Sequence, residues 1–232
     1  MNTIFTWNKL ILLTMKKAFL IVGTLFFIAN VQAQEKSNEL LNSVGSLSMG
    51  TRNTISMFSA EGKTYWGMSV GGQLRMRIHD KLNSDWFGDY VTTNVGNLAA
   101  RTDFHGGVSM MPYTFGTPRI MKATFYPLAG FCIDYTRFNV TSGITQADEP
   151  RMLERYSFAI QLGGGMQIPL SQKFDFTTTA HYMLHSGSDV HMHINNQNVL
   201  LSLHKGFQLE GHFLFSFSVN YKLFNIWQKK QS

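Results

Sequence analysis

The sequence predicts an all-β fold, a transmembrane antiparallel up-and-down β-barrel of about eight strands, with ten as the alternative count. Three observations carry that expectation. The segment from His212 to Phe224 alternates strictly: Phe213, Phe215, Phe217, Val219, Tyr221 and Leu223 fall on one face, and Ser216, Ser218, Asn220 and Lys222 on the other. The same two-residue period recurs along most of the chain, and an export signal precedes it. Alternation alone fits a sandwich as well as a barrel. Its repetition behind an export signal selects an outer-membrane barrel.

Residues 1–33 are set apart first. Lys16 and Lys17 precede an apolar run, Ala18 to Ala29, and Val31-Gln32-Ala33 gives a small-residue cleavage pattern before Gln34. This is the layout of a secretory signal peptide, with translation expected to start at Met15. The run is short of the roughly 20 apolar residues a membrane-spanning helix needs. Residues 34–42 form a polar periplasmic lead, residues 43–225 the barrel, and residues 226–232 a periplasmic tail.

The strands follow in order. The first, 43–59, sets Leu47, Met49, Ile55 and Met57 against Ser46, Ser48, Arg52 and Ser56. The second, 64–78, sets Trp66, Met68, Val70, Leu74, Met76 and Ile78 against Tyr65, Ser69, Gln73, Arg75 and Arg77. The third, 85–95, has no clear facing, and its Trp86, Phe87 and Tyr90 read as interface aromatics. The fourth, 102–113, opposes Phe104, Val108 and Met110 to Asp103, His105 and Ser109. The fifth, 120–136, puts Ala123, Phe125, Ala129, Phe131, Ile133 and Tyr135 opposite Lys122, Thr124, Tyr126, Cys132 and Asp134. Pro127 within it predicts a bulge, because a closed barrel has no free edge where a missing N–H is harmless. The sixth, 155–170, contains Gly163-Gly164-Gly165, expected where a curved wall needs small residues. The seventh is 174–185 and the eighth 212–224. Links after the second, fourth and sixth strands are short, whereas 137–150 and 186–207 are long and fall on one side. Short periplasmic turns and longer external loops fit that parity. Strand-like pieces at 190–194 and 198–204 would extend a hairpin above the membrane or raise the strand count to ten.

Composition narrows the function. The formal charge is +6, but residues 1–33 hold Lys9, Lys16 and Lys17 and no acid, which leaves +3 for the remainder. The remaining basic residues are dispersed, so nucleic-acid binding is not expected. Cys132 is the sole cysteine and excludes an intramolecular disulfide framework.

Two constellations stand out. Arg52, Arg75, Arg77, Asp103, Lys122, Asp134, Asp175 and Lys222 are expected to line the lumen, paired into a plug, because an eight-stranded barrel has room only for side chains. His185, His191, His193 and His204 are the candidate metal ligands, since residues two apart share a face of an extended chain. The ordinary alternative is a set of solvated loop histidines. No cofactor is implied. No His-x-Ser, the spacing that puts base and nucleophile on one face of a strand, occurs anywhere, so no catalytic residue is assigned.

The stretches Asp85-Trp86-Phe87-Gly88-Asp89-Tyr90-Val91-Thr92-Thr93 and Arg101-Thr102-Asp103-Phe104-His105-Gly106-Gly107, with the end from His212 to Trp227, resemble small porin-like outer-membrane β-barrel proteins of Bacteroidetes-type bacteria. The resemblance implies an architecture and no catalytic residues. The chain runs past its last strand, so Phe224 or Trp227 takes the place of the usual terminal aromatic. The expectation is a monomeric, non-enzymatic barrel in the outer membrane, structural or a narrow solute conduit. Its partners are outer-membrane lipid and, during biogenesis, the barrel assembly machinery. The alternatives are a surface binding module using loops 137–150 and 186–207 or a lipid-modifying enzyme.

Overall fold

The computed structural model describes residues 43–60, 63–96, 98–113, 118–141, 150–195 and 198–227; the signal-peptide and polar-lead expectations lie outside them. Eight strands form one closed antiparallel barrel in chain order: β1 (Ser46–Ala60), β2 (Lys63–His79), β3 (Leu82–Val95), β4 (Ala99–Pro112), β5 (Thr124–Val140), β6 (Met152–Pro169), β7 (Phe174–Asn195) and β8 (Asn198–Asn225). Eight is therefore the strand count among the described residues. The two strand-like pieces near residues 190–204 are the continuation of β7 and β8 and not extra staves.

Each strand is paired on both sides, so hydrogen bonding around the wall is continuous and no long edge is left open. β1 closes on β8, with Ser46 opposite Asn225 and Phe58 opposite His212. Below that seam Ile226 N–H donates to Gly45 O (2.9 Å), and Asn225 Nδ2 donates to Val44 O (2.8 Å) and to Ser43 Oγ (2.7 Å). Gly45 takes a positive φ of 88° there, and a Cβ would lie 2.6 Å from Asn225 Oδ1, so no other residue fits. We call this end the base and the opposite end the mouth.

The alternation sorts the side chains as their polarity requires. Trp66, Met68, Val70, Phe125, Ile133, Tyr156 and Leu162 point outward, with Met68 and Tyr156 each 72% exposed. Cross-strand aromatic pairs such as Phe131–Phe158 (6.0 Å between ring centroids) and Tyr135–Tyr156 (5.1 Å) knit this face together. Directly paired Gly72, Gly88 and Gly106 also face outward, leaving an apolar groove of about 710 Å³ flanked by Leu74, Trp86 and Phe131. The opposite residues turn inward and are mostly polar, as along β8 with His212, Ser216, Ser218, Asn220 and Lys222.

Four details correct the sequence reading. Phe87 is not an interface aromatic: it points inward at 6% exposure, whereas Trp86 and Tyr90 point out. Pro127 makes no bulge. Its register with β6 runs unbroken opposite Gly164, and the β4–β5 ladder stops at Met110 opposite Ala129, so the missing N–H falls beyond the end of that pairing. β5 begins at Thr124 and not at Ile120, because Met121 adopts φ 56° in a turn closed by Lys122 N–H to Arg119 O (3.0 Å). That turn breaks the alternation and leaves Lys122 exposed outside the strand, so it does not line the lumen. The segment 186–207 is also less loop than expected: β7 and β8 run on as a two-stranded hairpin past the last β6 pair, Ser157 opposite Gly187. Gly163, by contrast, fits the curved-wall expectation, since a Cβ there would stand 2.2 Å from Ala180 O.

Candidate functional site

The inward-facing residues make a stack of layers from base to mouth. At the base, Arg75 Nε and Nη2 donate to Asp85 (2.6 and 2.8 Å), and Nη1 donates to Asp175 Oδ1 and Thr177 Oγ1 (3.0 Å each). Asn220 Nδ2 donates to the same Asp175 oxygen (2.9 Å), and Gln73 Nε2 donates to Asn220 Oδ1 (2.7 Å). This is the bidentate geometry that makes guanidinium–carboxylate pairs strong. Tyr113 bridges Gln167 and Asn83 beside it and packs edge-on against Tyr126 (5.8 Å). A space of about 30 Å³ lined by Arg75, Asp175 and Lys222 remains here, room for about one water.

Above it, Arg52 Nε pairs with Asp89 Oδ2 (2.9 Å) while its guanidinium lies 4.4 Å from the Phe87 ring centroid. Phe87, Cys132, Ala159, Met183 and Leu214 then form an apolar layer across the interior. Alternation normally reserves the lumen side for polar residues, so this cluster is an exception to it, set beside buried Gln161, Ser109 and His181.

The next layer holds the chemistry. Arg101 Nε donates to both oxygens of Asp103 (3.0 and 2.9 Å) and Nη1 to Glu210 Oε1 (2.7 Å). Glu210 also binds Arg155 and stands 2.7 Å from His212 Nε2. Asp134, fully buried, faces His105 Nε2 across 3.1 Å and His185 Nδ1 across 3.2 Å. Thr136 Oγ1 lies 2.7 Å from Asp103 Oδ1 and 3.1 Å from Asp134 Oδ2, its single proton shared between the two carboxylates.

Ser157 Oγ lies 3.3 Å from His185 Nδ1, which assembles a serine, a histidine and an aspartate. The set is not a catalytic triad. A triad uses one ring nitrogen for the nucleophile and the other for the carboxylate, whereas here Nδ1 meets both.

The mouth is roofed. Phe58, Val95, Ala99, Phe138 and Val140 from the rim pack with Val190 and Leu201 from the β7–β8 hairpin into one buried cluster. The hairpin bends over after a register shift between Gly187 and Asp189. Arg101 stacks beneath the roof, 4.4 Å from the Phe58 centroid and 5.2 Å from that of Phe138.

Of the expected lumen residues, Arg52, Arg75, Asp103, Asp134, Asp175 and Lys222 are buried inside. Arg77 is half-buried at the base, where Nη2 donates to Asp80 O (2.7 Å). Of the expected metal ligands, His185 is in the lumen, while the side chains of His191, His193 and His204 lie outside the described residues. Sequence reasoning missed Asp85, Asp89, Arg101, Arg155 and Glu210 as lumen charges. Asp85 and Asp89 share their parity with Phe87 and Val91, and that mixture hid the facing of β3. Arg101, Arg155 and Glu210 lay at or beyond the expected strand ends.

No family model and no curated protein matches the sequence. Solved structures do resemble it in outline. Neisserial surface protein A, NspA, is 14% identical with a TM-score of 0.48, covering 76% of this chain and 97% of its own. The outer membrane protein AlkL is 9% identical with a TM-score of 0.48, covering 85% and 97%. The outer membrane protein OprG of Pseudomonas aeruginosa is 16% identical with a TM-score of 0.41, covering 78% and 97%.

Proposed function

We propose that this chain is a filled, monomeric, non-enzymatic barrel of the bacterial outer membrane that presents the β7–β8 hairpin at the external surface. An exposed apolar wall, closed in hydrogen bonding, matches the requirement that nothing polar on the backbone meet lipid unpaired. The base carries both described chain ends, and the habit of outer-membrane barrels of keeping their ends periplasmic supports a periplasmic base and an external hairpin. Outer-membrane lipid then covers the wall, and the assembly machinery acts on the chain during biogenesis.

The observation that carries the choice of a filled barrel over a conduit is the stack of ion pairs and apolar layers between base and roof. A solute would have to break buried guanidinium–carboxylate pairs to pass. The hairpin is the element left to make contacts, since β7 and β8 stay paired to Asn195 opposite Asn198, beyond the last β6–β7 pair. Planar-bilayer recording of the refolded protein tests this reading: silence is expected, and steady single-channel openings would replace it with a conduit. Heat-modifiable migration on a gel checks the closed barrel in the same sample.

A further inference from the structure

Asp103, His105 and Asp134 offer three ligand atoms that all lie within 4.8 Å of one another, on side chains at most 2% exposed. His105 and Asp134 are also incompletely satisfied. His105 Nδ1 has no hydrogen-bond partner, and His105 Nε2 and Asp134 Oδ1 meet only each other, at 3.1 Å. A buried imidazole nitrogen without a partner is a donor atom open to a further ligand. Two nitrogen or oxygen ligands bound at about 2.0–2.1 Å to one tetrahedral ion stand about 3.3 Å apart. The observed separation is close to that edge.

The surroundings hold these ligands as a metal site's outer partners do. The second oxygen of Asp134 meets His185 Nδ1 (3.2 Å), Ser157 Oγ (3.4 Å) and Thr136 Oγ1 (3.1 Å), which aims Oδ1 toward His105. Asp103 is oriented by Thr136 and Arg101. The layer is rich in carboxylate: Asp103, Asp134 and Glu210 share it with the guanidiniums Arg101 and Arg155 and the imidazoles of His105 and His185.

We propose that Asp103, His105 and Asp134 bind one divalent first-row transition ion, Zn²⁺ in the first instance, as a structural ion enclosed in the lumen. A donor set of one imidazole and two carboxylates suits Zn²⁺ and its neighbours better than soft ions that require thiolate. His185 is a positioning residue for Asp134 and not a ligand. The apolar roof above and the apolar layer below enclose the ion, so it enters while the barrel closes. The site is independent of whether the barrel conducts.

The test refolds the full chain, without an affinity tag, from denaturant into detergent with Zn²⁺. Loosely held ion is removed with a weak chelator and the retained zinc is measured by elemental analysis. Wild type and His79→Gln, which removes an exposed histidine at the base, retain one ion per chain. His105→Gln and Asp134→Asn retain less than about a tenth of that, and Ser157→Ala binds about 10-fold more weakly. A wild type that retains no zinc, or a His105→Gln protein that folds and retains all of it, overturns the proposal. If a variant does not close, Co²⁺ in the wild type decides. Its visible bands survive diethyl pyrocarbonate, which modifies histidines open to water, if His105 is the ligand, and their loss rejects the site.

Discussion

The two polar networks inside the barrel are built from the same residue types and end in different states. At the base, Arg75 directs three of its nitrogens to Asp85, Asp175 and Thr177, and Asn220 and Gln73 extend the chain of donors. Beneath the roof, Arg101 is equally well used, but the neighbouring His105, His212 and Asp134 keep buried atoms without partners. Asn83 Oδ1 and Tyr126 Oη beside the base network lack partners too, but Arg75, Asp85, Asp175, Asn220 and Gln73 leave no buried atom unpaired, whereas His105 and Asp134 do. The paired cluster fixes how strands meet, and the unpaired atoms beneath the roof offer ligands. The difference assigns register to the base and chemistry to the mouth.

The comparison can be broken from the base. Arg75→Met should cost about 3–5 kcal/mol, because Asp85 would remain buried without its guanidinium and Asp175 would lose its hydrogen-bonded one, and urea unfolding in vesicles measures it. Phe217→Arg tests the outer face and should cost about 2–4 kcal/mol if the residue sits near the bilayer midplane. Truncating the roof by Leu201→Ala should cost about 2–3 kcal/mol, in the lower part of the range for buried leucines because a hairpin relaxes more readily than a wall. The bilayer should stay silent in that variant, since the networks below the roof still fill the lumen; openings would make the roof the only seal. Ser157→Ala should cost about 1 kcal/mol or less in metal-free protein, the net worth of one hydrogen bond.

Much of this architecture was legible in the sequence because a two-residue period reports which side chains share a face. The outward set of β2 and β8 and the inward placement of Arg52, Arg75 and Asp134 follow from it directly. It could not report which residues meet across the lumen. Arg75 and Asp175 are 100 positions apart, and Arg101 and Glu210 are 109 apart; only the closure of the wall brings them together. Periodicity also failed where polarity ceased to sort with facing. Phe87, Met183 and Leu214 are apolar and inside, so β3 looked ambiguous. Lys122 illustrates the opposite failure: the parity was extended past the point where the Met121 turn ends the strand. The hairpin over the mouth was visible only as strand-like pieces, since its bend follows from a register shift that no spacing reveals.

The seam between β1 and β8 has a consequence in time. It joins residues from opposite ends of the sequence, Ser46 to Asn225, and is locked by Asn225 on Val44 and by Gly45 under Ile226. Every other neighbouring pair of strands can zip from a nearby turn, whereas this one waits for the whole wall to curl, and pairings so distant in sequence place folding in the slow regime. The last contact to form is therefore the one that converts a curled sheet into a container, and whatever the lumen encloses must already be inside when Asn225 reaches Ser43.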